Sequence, residues 1–376
     1  MHKVIDLFAG CGGLSVGFMK AGYNITKAVE FDPVIAKTYK LNHPNVEMLV
    51  DDIKNISDGS FFNHGDADII IGGPPCQGFS MAGARIRHDF IDDPRNYLFK
   101  HYFKIVKKVK PHIFILENVK GMLTMQQGKI FKEICDIFSD PILLDGRAYS
   151  VFSKLVKTVD FGIPQKRERL VIVGVLCQSL PFEDIWQQTV ADICEKDVNF
   201  FNRVTLADAI GNLPQTTSSG VIPSPLPCSD YQKYLSATAD TISNHTHSNH
   251  SEKAIARMKA IGNGENYTAL TEKINSVHSG AYGRLCWDEQ APTITTRFDT
   301  PAGGRFIHPV ENRTISPREA ARIQSFPDNF YFQGDKRSIS RQIGNAVPPK
   351  LAYFLALLAQ HILTYIHKKE CLYELP

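Results

Sequence analysis

The stretch DLFAGCGGLSVGF, residues 6–18, passes from an apolar strand through a glycine-rich turn into a helix. Glycines let the backbone approach a ligand, and N–H groups at the start of the following helix face it. The dinucleotide fingerprint G-x-G-x-x-G needs glycine at position 15, where this chain has Ser15, so a dehydrogenase-type phosphate site fits poorly. Two carboxylates follow at strand ends. Glu30 is placed to accept hydrogen bonds from ribose hydroxyls, and Asp52 to accept one from an adenine amino group. Glycine turns and solvated carboxylates would give the same pattern without a ligand. Their order argues instead for an adenosine-bearing ligand, neutral to cationic.

Outward from this loop, strand patterns VIDLF (4–8), ITKAVE (25–30), VEMLV (46–50), ADIIIG (67–72), HIFILEN (112–118) and RLVIVGVL (169–176) alternate with helical ones. The helices are GLSVGFMKAG (13–22), PVIAKTYKLN (33–42), NYLFKHYFKIVKKVK (96–110) and KIFKEICDIF (129–138). Such alternation predicts an α/β fold with a parallel, doubly wound sheet. The composition shifts after about residue 178, with 215–280 rich in Ser, Thr, Asn, His and Pro, and a smaller loop-rich domain is expected over 179–339. From residue 340 the pattern reverts to an apolar helix whose Leu351, Phe354, Leu355, Leu358, Ile362 and Leu363 should dock on the first domain. The expected division is thus 1–178 with 340–376, and 179–339. The run LAYFLALLAQHILTYI (351–366) is shorter than a bilayer span and reads as a buried helix, so no membrane partner is expected. A strand begins almost at Met1, leaving no room for a signal peptide, and a cytoplasmic location follows as the expectation. The net charge of +3 permits a nucleic-acid partner without requiring one. Eight scattered cysteines with no C-x-x-C pair suggest neither a disulfide scaffold nor zinc.

One of those cysteines lies in GGPPCQGFS (72–80), directly after a strand. A free cysteine is usually a small buried hydrophobe. Here Pro74 and Pro75 stiffen the turn and hold Cys76 at the C-terminal edge of the sheet, where α/β enzymes bind ligands. Glu117 ends the next apolar strand, where a carboxylate is costly unless it is paired or works as an acid. QKRER (165–169) adds Arg167 and Arg169, on one face if the segment is extended. By itself that cluster reads equally well as a solvated strand cap.

Taken together, DLFAGCGG, GGPPCQGFS, ENV (117–119), QKRER and QIGNAVPP (342–349) resemble, in order and spacing, the cytosine-C5 DNA methyltransferases of bacterial restriction-modification systems. The resemblance runs from Val4 to about Leu363. It implies a Rossmann-like S-adenosylmethionine-dependent methyltransferase domain plus a smaller target-recognition domain. Cys76 matches the nucleophile that attacks C6 of a flipped cytosine. Glu117 matches the group that holds a proton toward N3, Arg167 the residue near the base carbonyl, and Arg169 its companion. For S-adenosylmethionine, Phe8, Gly10, Cys11, Gly12 and Gly13 match the loop beneath methionine and adenosine. Glu30 matches the ribose partner, Phe31 the adenine face, and Asp52 with Ile53 the adenine edge. Pro75, Leu98 and Asn345 complete that pocket.

On the DNA side the resemblance points to Gln77, Ser80, Arg85, Arg87, Gln165, Arg297 and Arg305. The segment 81–96 is expected as a lid, and other arginines of 284–341 as phosphate contacts. Double-stranded DNA is the implied partner, with a cognate restriction endonuclease paired in function but not in a stable complex, and the chain a monomer. His245, His247 and His250 have the look of metal ligands, but no acid or cysteine completes them, and no metal is expected. Three rivals carry less. An offshoot acting on tRNA tends to differ after PPCQ. A non-catalytic relative would be expected to lack Cys76, Glu117 or an arginine. A dehydrogenase is opposed by Ser15 and by the PPCQ loop.

Overall fold

The computed structural model describes residues 1–74, 97–176, 179–236, 240–272, 274 and 279–373. The first strand, β1 (Lys3–Leu7), is buried on both faces beyond its first residue, as a central strand must be when helices cover both sides of a sheet. It leads into α1 (Gly13–Lys20), β2 (Asn24–Glu30) and α2 (Pro33–Asn42). Asp32 caps α2 by accepting from the Val34 and Ile35 N–H groups, and Pro33 occupies the first turn, where no N–H is needed. Then come β3 (Glu47–Val50), the single turn α3 (Ile53–Ile56), β4 (Ile69–Gly72), α4 (Tyr97–Val109), β5 (Ile113–Val119) and α5 (Lys129–Ser139). β6 (Ser150–Lys157), the short β7 (Gln165–Lys166) and β8 (Glu168–Val175) close this part of the chain.

Seven strands form one sheet in the order β3-β2-β1-β4-β5-β8-β6. The strand order reverses beside β1, with β2 on one side and β4 on the other, the switch point at whose C-terminal edge open α/β sheets bind ligands. Pairing is parallel from β3 through β5, but β8 runs antiparallel to both β5 and β6, which corrects the all-parallel expectation. β6 itself gave no strand signal. It is an edge strand, largely half-exposed, and SVFSKLVK offers no continuous apolar run.

Beyond the sheet, α6 (Phe182–Lys196) packs on the last helix, α12 (Pro349–Tyr373), with the Trp186 and Phe354 ring centroids 4.7 Å apart. Between these two lie α7 (Leu206–Ile210), α8 (Asp230–Leu235), α9 (Glu252–Lys259), α10 (Pro317–Ile323) and α11 (Lys336–Asn345). α12 is longer than the apolar run suggested, and with α11 it is long and apolar enough to cross a membrane. It is a core helix instead. Leu351, Phe354, Leu355, Leu358 and Ile362 are fully buried, each contributing about 2 kcal/mol by leaving water. One apolar core lies on each face of the sheet. A third, built from Leu206, Ile294, Phe298, Phe326 and Ile343, reaches back to Cys11 and Ile35 beside the glycine-rich loop.

That third core holds charges. Arg322 makes a bidentate pair with Asp328 at 2.8 Å, and Arg313 donates to both oxygens of Glu319 at 2.8 Å. Ser316 and Glu319 form a reciprocal cap on α10. Burial would raise the Glu319 carboxyl, but hydrogen bonds and charge from Arg313 outweigh it and bring the group down to about 2. A depressed carboxyl stabilises the fold fully above its unfolded value of 4.5, and the contribution fades as pH falls toward 2. Its size is about 3 kcal/mol. Melting temperatures measured from pH 5 down to pH 2.5 should therefore fall more steeply for the native chain than for Glu319→Gln. Parallel curves would show that Glu319 is not the group responsible.

Candidate active site

The turn after β1 is shaped by left-handed residues, with φ of +58° at Phe8, +57° at Gly10 and +101° at Gly12. Gly12 has no alternative, since a β-carbon there would sit 2.4 Å from the His43 ring. The Gly10 N–H donates to Glu30 Oε2 and the Asp32 N–H to Glu30 Oε1, both at 2.9 Å. One carboxylate thereby fastens the loop to the end of β2, and each oxygen keeps a lone pair for a ligand hydroxyl. Next to it Phe31 is 69% exposed, leaving its ring face open to a planar group. Asp52 caps α3 and pairs with Lys54 at 3.2 Å, Ile53 is buried behind it, and Leu98 is half-buried nearby on α4.

The far end of the chain completes this wall. A β-carbon on Gly13 would lie 2.3 Å from the Val347 carbonyl, and Cys11 Sγ donates to the Gln342 carbonyl at 3.6 Å. Asn345, exposed at the end of α11, is carried on that same segment.

Ser15 now has an explanation. Its hydroxyl donates to Asp6 Oδ2 at 2.6 Å and is hydrogen-bonded to the Tyr39 hydroxyl at 2.7 Å, bracing the loop from below. Burial pushes the Asp6 carboxyl up to about 7 against the Ser15 hydrogen bond, and its Oδ1 is buried without a hydrogen-bond partner. Burial pushes the His43 imidazole down to about 4, so no positive charge stands behind the loop. An acid-lined, exposed-aromatic crevice with a neutral histidine beneath it fits a cationic adenosine-bearing cofactor.

A second group of residues gathers at the ends of β4 and β5. Glu117 is buried, and Arg169 Nε lies 2.7 Å from its Oε1, although the N–H is not aimed at that oxygen and the contact is Coulombic. A β-carbon on Gly73 would be 3.4 Å from Glu117 Oε2, so the carboxylate borders the chain leaving β4. Asn118 Nδ2 donates to the Pro74 carbonyl at 3.0 Å. ENV therefore grips the backbone just before Cys76. Pro75, Cys76, Gln77, Ser80, Arg85, Arg87 and the expected lid over 81–96 lie outside the described residues.

The C-5 cytosine-specific DNA methylase profile matches residues 2–360. The chain belongs to this family. Among similar proteins are the Type II methyltransferase M1.HphI of Haemophilus parahaemolyticus, 34% identical over 94% of this chain and 85% of its own, and M.DdeI of Desulfomicrobium norvegicum, 35% identical over 94% and 87%. A solved protein encoded within an E. coli prophage superposes with a TM-score of 0.71 at 29% identity, covering 97% of this chain and 100% of its own. The S. pombe Dnmt2 methyltransferase shares the fold, with a TM-score of 0.58 at 17% identity, covering 96% and 99%. The chain is a restriction-modification type DNA cytosine-5-methyltransferase, and its cofactor is S-adenosylmethionine.

Within this methyltransferase several side chains stand elsewhere than expected. Arg167 and Arg169 do not share a surface, because the strand breaks between β7 and β8 at Arg167. Arg167 is 2% exposed and donates to the carbonyls of Ile294 and Gly344 at 3.2 and 3.0 Å, with burial pushing its guanidinium down to about 9. Arg169 is the arginine beside Glu117. Gln165 is fully buried and faces no solvent from which to meet DNA. Its amide donates to Gln324 Oε1 and accepts from the Ile294 N–H, both at 2.7 Å. Arg305 spends Nη1 on the carbonyls of Gly264, Glu265 and Arg284. Arg284, Arg313, Arg318 and Arg322 are buried, their donors consumed by carbonyls and carboxylates. Arg297 is exposed, as a phosphate contact requires.

The three histidines are held apart by separate partners, His245 by Ser316, His247 by Thr216 and His250 by Thr314. Sequence reasoning missed Gln324, which donates to the Ile343 carbonyl at 2.6 Å and ties α11 to QKRER. Its only signal was a glutamine directly after Ile323 in the mixed run AARIQSF (320–326).

Proposed function

We propose that this methyltransferase acts through Cys76 on a cytosine flipped from a duplex, with Glu117 and Arg169 holding the base. The observation that carries the reading is the grip of ENV on the nucleophile loop: Asn118 fixes the Pro74 carbonyl while Glu117 and Arg169 converge beside Gly73. A thiolate at Cys76 adds to C6, and electron density moves into the ring, made easier by a proton held by Glu117 toward N3. When bound, S-adenosylmethionine would supply the methyl group to C5, its sulfonium leaving as a neutral thioether. Loss of the C5 proton then expels the thiolate and restores the aromatic ring. Arg169, held by Glu117, is the arginine offered to the base carbonyl, while Arg167 supports the strand from behind.

Phe8, the loop Gly10–Gly13, Glu30, Phe31, Asp52, Ile53, Pro75, Leu98 and Asn345 would hold the cofactor. Most of the chain between α6 and α11 serves as the target-recognition part, so we draw the boundary after α6, which belongs to the first core. Arg297, Gln77, Ser80, Arg85 and Arg87 are the DNA-side residues we retain. The enzyme works as a monomer and protects DNA from a cognate endonuclease without a stable complex.

Bisulfite sequencing of DNA from a methylation-free host expressing the chain tests this reading. Protection of one cytosine in one short recurrent sequence is the expected result. Complete conversion of host DNA, alongside methylated tRNA, would overturn it.

A further inference from the structure

Lys350 opens α12 directly after QIGNAVPP, yet only 3% of it is exposed. Its ammonium donates to the Phe200 carbonyl at 2.7 Å and to the Gly162 carbonyl at 3.2 Å. It also lies over the rings of Phe200, Tyr234 and Tyr231, with centroids at 4.5, 5.1 and 5.6 Å. Two carbonyls and three ring faces form a box for a cation, and here the chain fills it with its own lysine.

The segments that meet at this ammonium belong to different parts of the molecule. Gly162 ends the turn that carries Thr158, whose hydroxyl donates to the carbonyls of Gln165 and Arg167 at 2.5 and 3.2 Å. The backbone from 158 to 167 is thereby one hydrogen-bonded unit, and it runs straight into Arg169. Phe200 packs in the first core, whereas Tyr231 of α8 packs in the third, in the part assigned to target recognition, and its hydroxyl donates to the Arg322 carbonyl of α10 at 2.8 Å. The Lys350 N–H donates to Ser325 Oγ at 3.0 Å, next to the Gln324 that holds Gln165.

We propose that Lys350 is a positioning residue for methyl transfer, its ammonium locking the strand that carries Arg169 to the part of the chain that reads DNA. The proposal rests on the assignment of Glu117 and Arg169 to the base. Loss of the ammonium leaves two buried carbonyls without a donor and frees the 158–167 unit to shift against α8. A displacement of about 1 Å at a reacting centre can cost on the order of a hundredfold in rate. Cofactor affinity should be untouched, because none of these contacts involves the glycine loop or Glu30.

The lock also depends on charge. Burial pushes the Lys350 ammonium down to about 8, with Asp197 opposing that shift and Lys20 adding to it. Lys20, from α1, lies 3.4 Å over the Tyr234 ring, and burial brings it to about 8 as well. Arg203, Asp208, Asp230 and Lys233 line the adjoining cavity of about 460 Å³. Asp208 is occupied by Thr205, and Asp230 by Asn199 and Lys233. Above pH 8 the neutral amine holds the two carbonyls less firmly. An arginine at 350 would stay charged, whereas Lys20 titrates in either background.

The test uses the full chain with Lys350→Met, Lys350→Arg and Arg169→Ala, measuring kcat and KM on duplex DNA and Kd for S-adenosylmethionine. Lys350→Met should keep the cofactor Kd within about twofold and lose at least about tenfold in kcat, and Lys350→Arg should recover most of it. The native kcat should decline above pH 8, and that decline should be missing in Lys350→Arg. A native kcat in Lys350→Met, with Arg169→Ala inactive, overturns the proposal and spares the base-site reading. A native rate in Arg169→Ala sinks both. If Lys350→Met fails to bind cofactor, the pH profiles decide: a decline retained in Lys350→Arg assigns it to Lys20 or another group and overturns the proposal.

Discussion

Replacing Cys76 with serine should reduce methyl transfer by at least about three orders of magnitude while duplex binding persists. The reasoning is chemical. C5 of cytosine is a poor nucleophile until C6 has accepted an electron pair, and a hydroxyl at neutral pH supplies far less anion than a thiol. Serine is nearly isosteric, so the hydrogen bond from Asn118 to the Pro74 carbonyl is retained. Binding and catalysis should therefore separate. A labelled-methyl assay beside a gel-shift titration reads both, and sustained turnover by the serine variant would remove Cys76 from the mechanism. A duplex with 5-fluorocytosine at the target gives an independent check. Fluorine cannot leave C5 as a proton does, so the native enzyme should be trapped as an adduct that survives denaturation, and Cys76→Ser should not.

Glu117→Gln should lower kcat by about 10²–10⁴-fold with little change in cofactor Kd. The amide keeps the shape of the side chain but cannot hold an acidic proton toward the ring, and in the resting enzyme it removes the carboxylate that lies 2.7 Å from Arg169. The two effects act on the same step, the build-up of electron density in the base. Adduct formation with the fluorinated duplex should slow by the same factor as turnover. Unchanged trapping with slow turnover would place Glu117 after the covalent step and refute its role in activating C6. The cofactor side is insulated from this change, because Glu30 and the glycine loop hang from β1 and β2 rather than β5.

Much of the fold was legible because its signals are local. The alternation of apolar runs and helices, Pro33 at the start of α2 and the apolar stripe of α12 each predict an element without knowledge of its neighbours. The strand ends were legible for the same reason: Glu30 and Glu117 stand out as carboxylates closing apolar runs. β6 was hidden because an edge strand needs apolar residues on one face only. Its antiparallel pairing with β8 is a property of the sheet, and no residue in either strand encodes it alone.

The arginines divide most sharply between what the chain shows and what folding assigns. In one dimension Arg167, Arg169, Arg284, Arg305, Arg313, Arg318 and Arg322 are equivalent cations, equally suited to phosphate. Folding spends most of them inside, because a guanidinium offers five donors and a buried loop region has carbonyls to satisfy. Residue order by itself carried the family resemblance, and residue types at fixed spacing along strand ends pointed to the cofactor loop, the nucleophile and the acid that we propose. Only the tertiary structure decided which arginine stands beside Glu117, that Gln165 is an internal tie, and that the Lys350 ammonium is enclosed by two carbonyls and three rings. Those assignments depend on which carbonyls lie within 3 Å of a donor, and long-range packing alone sets such distances.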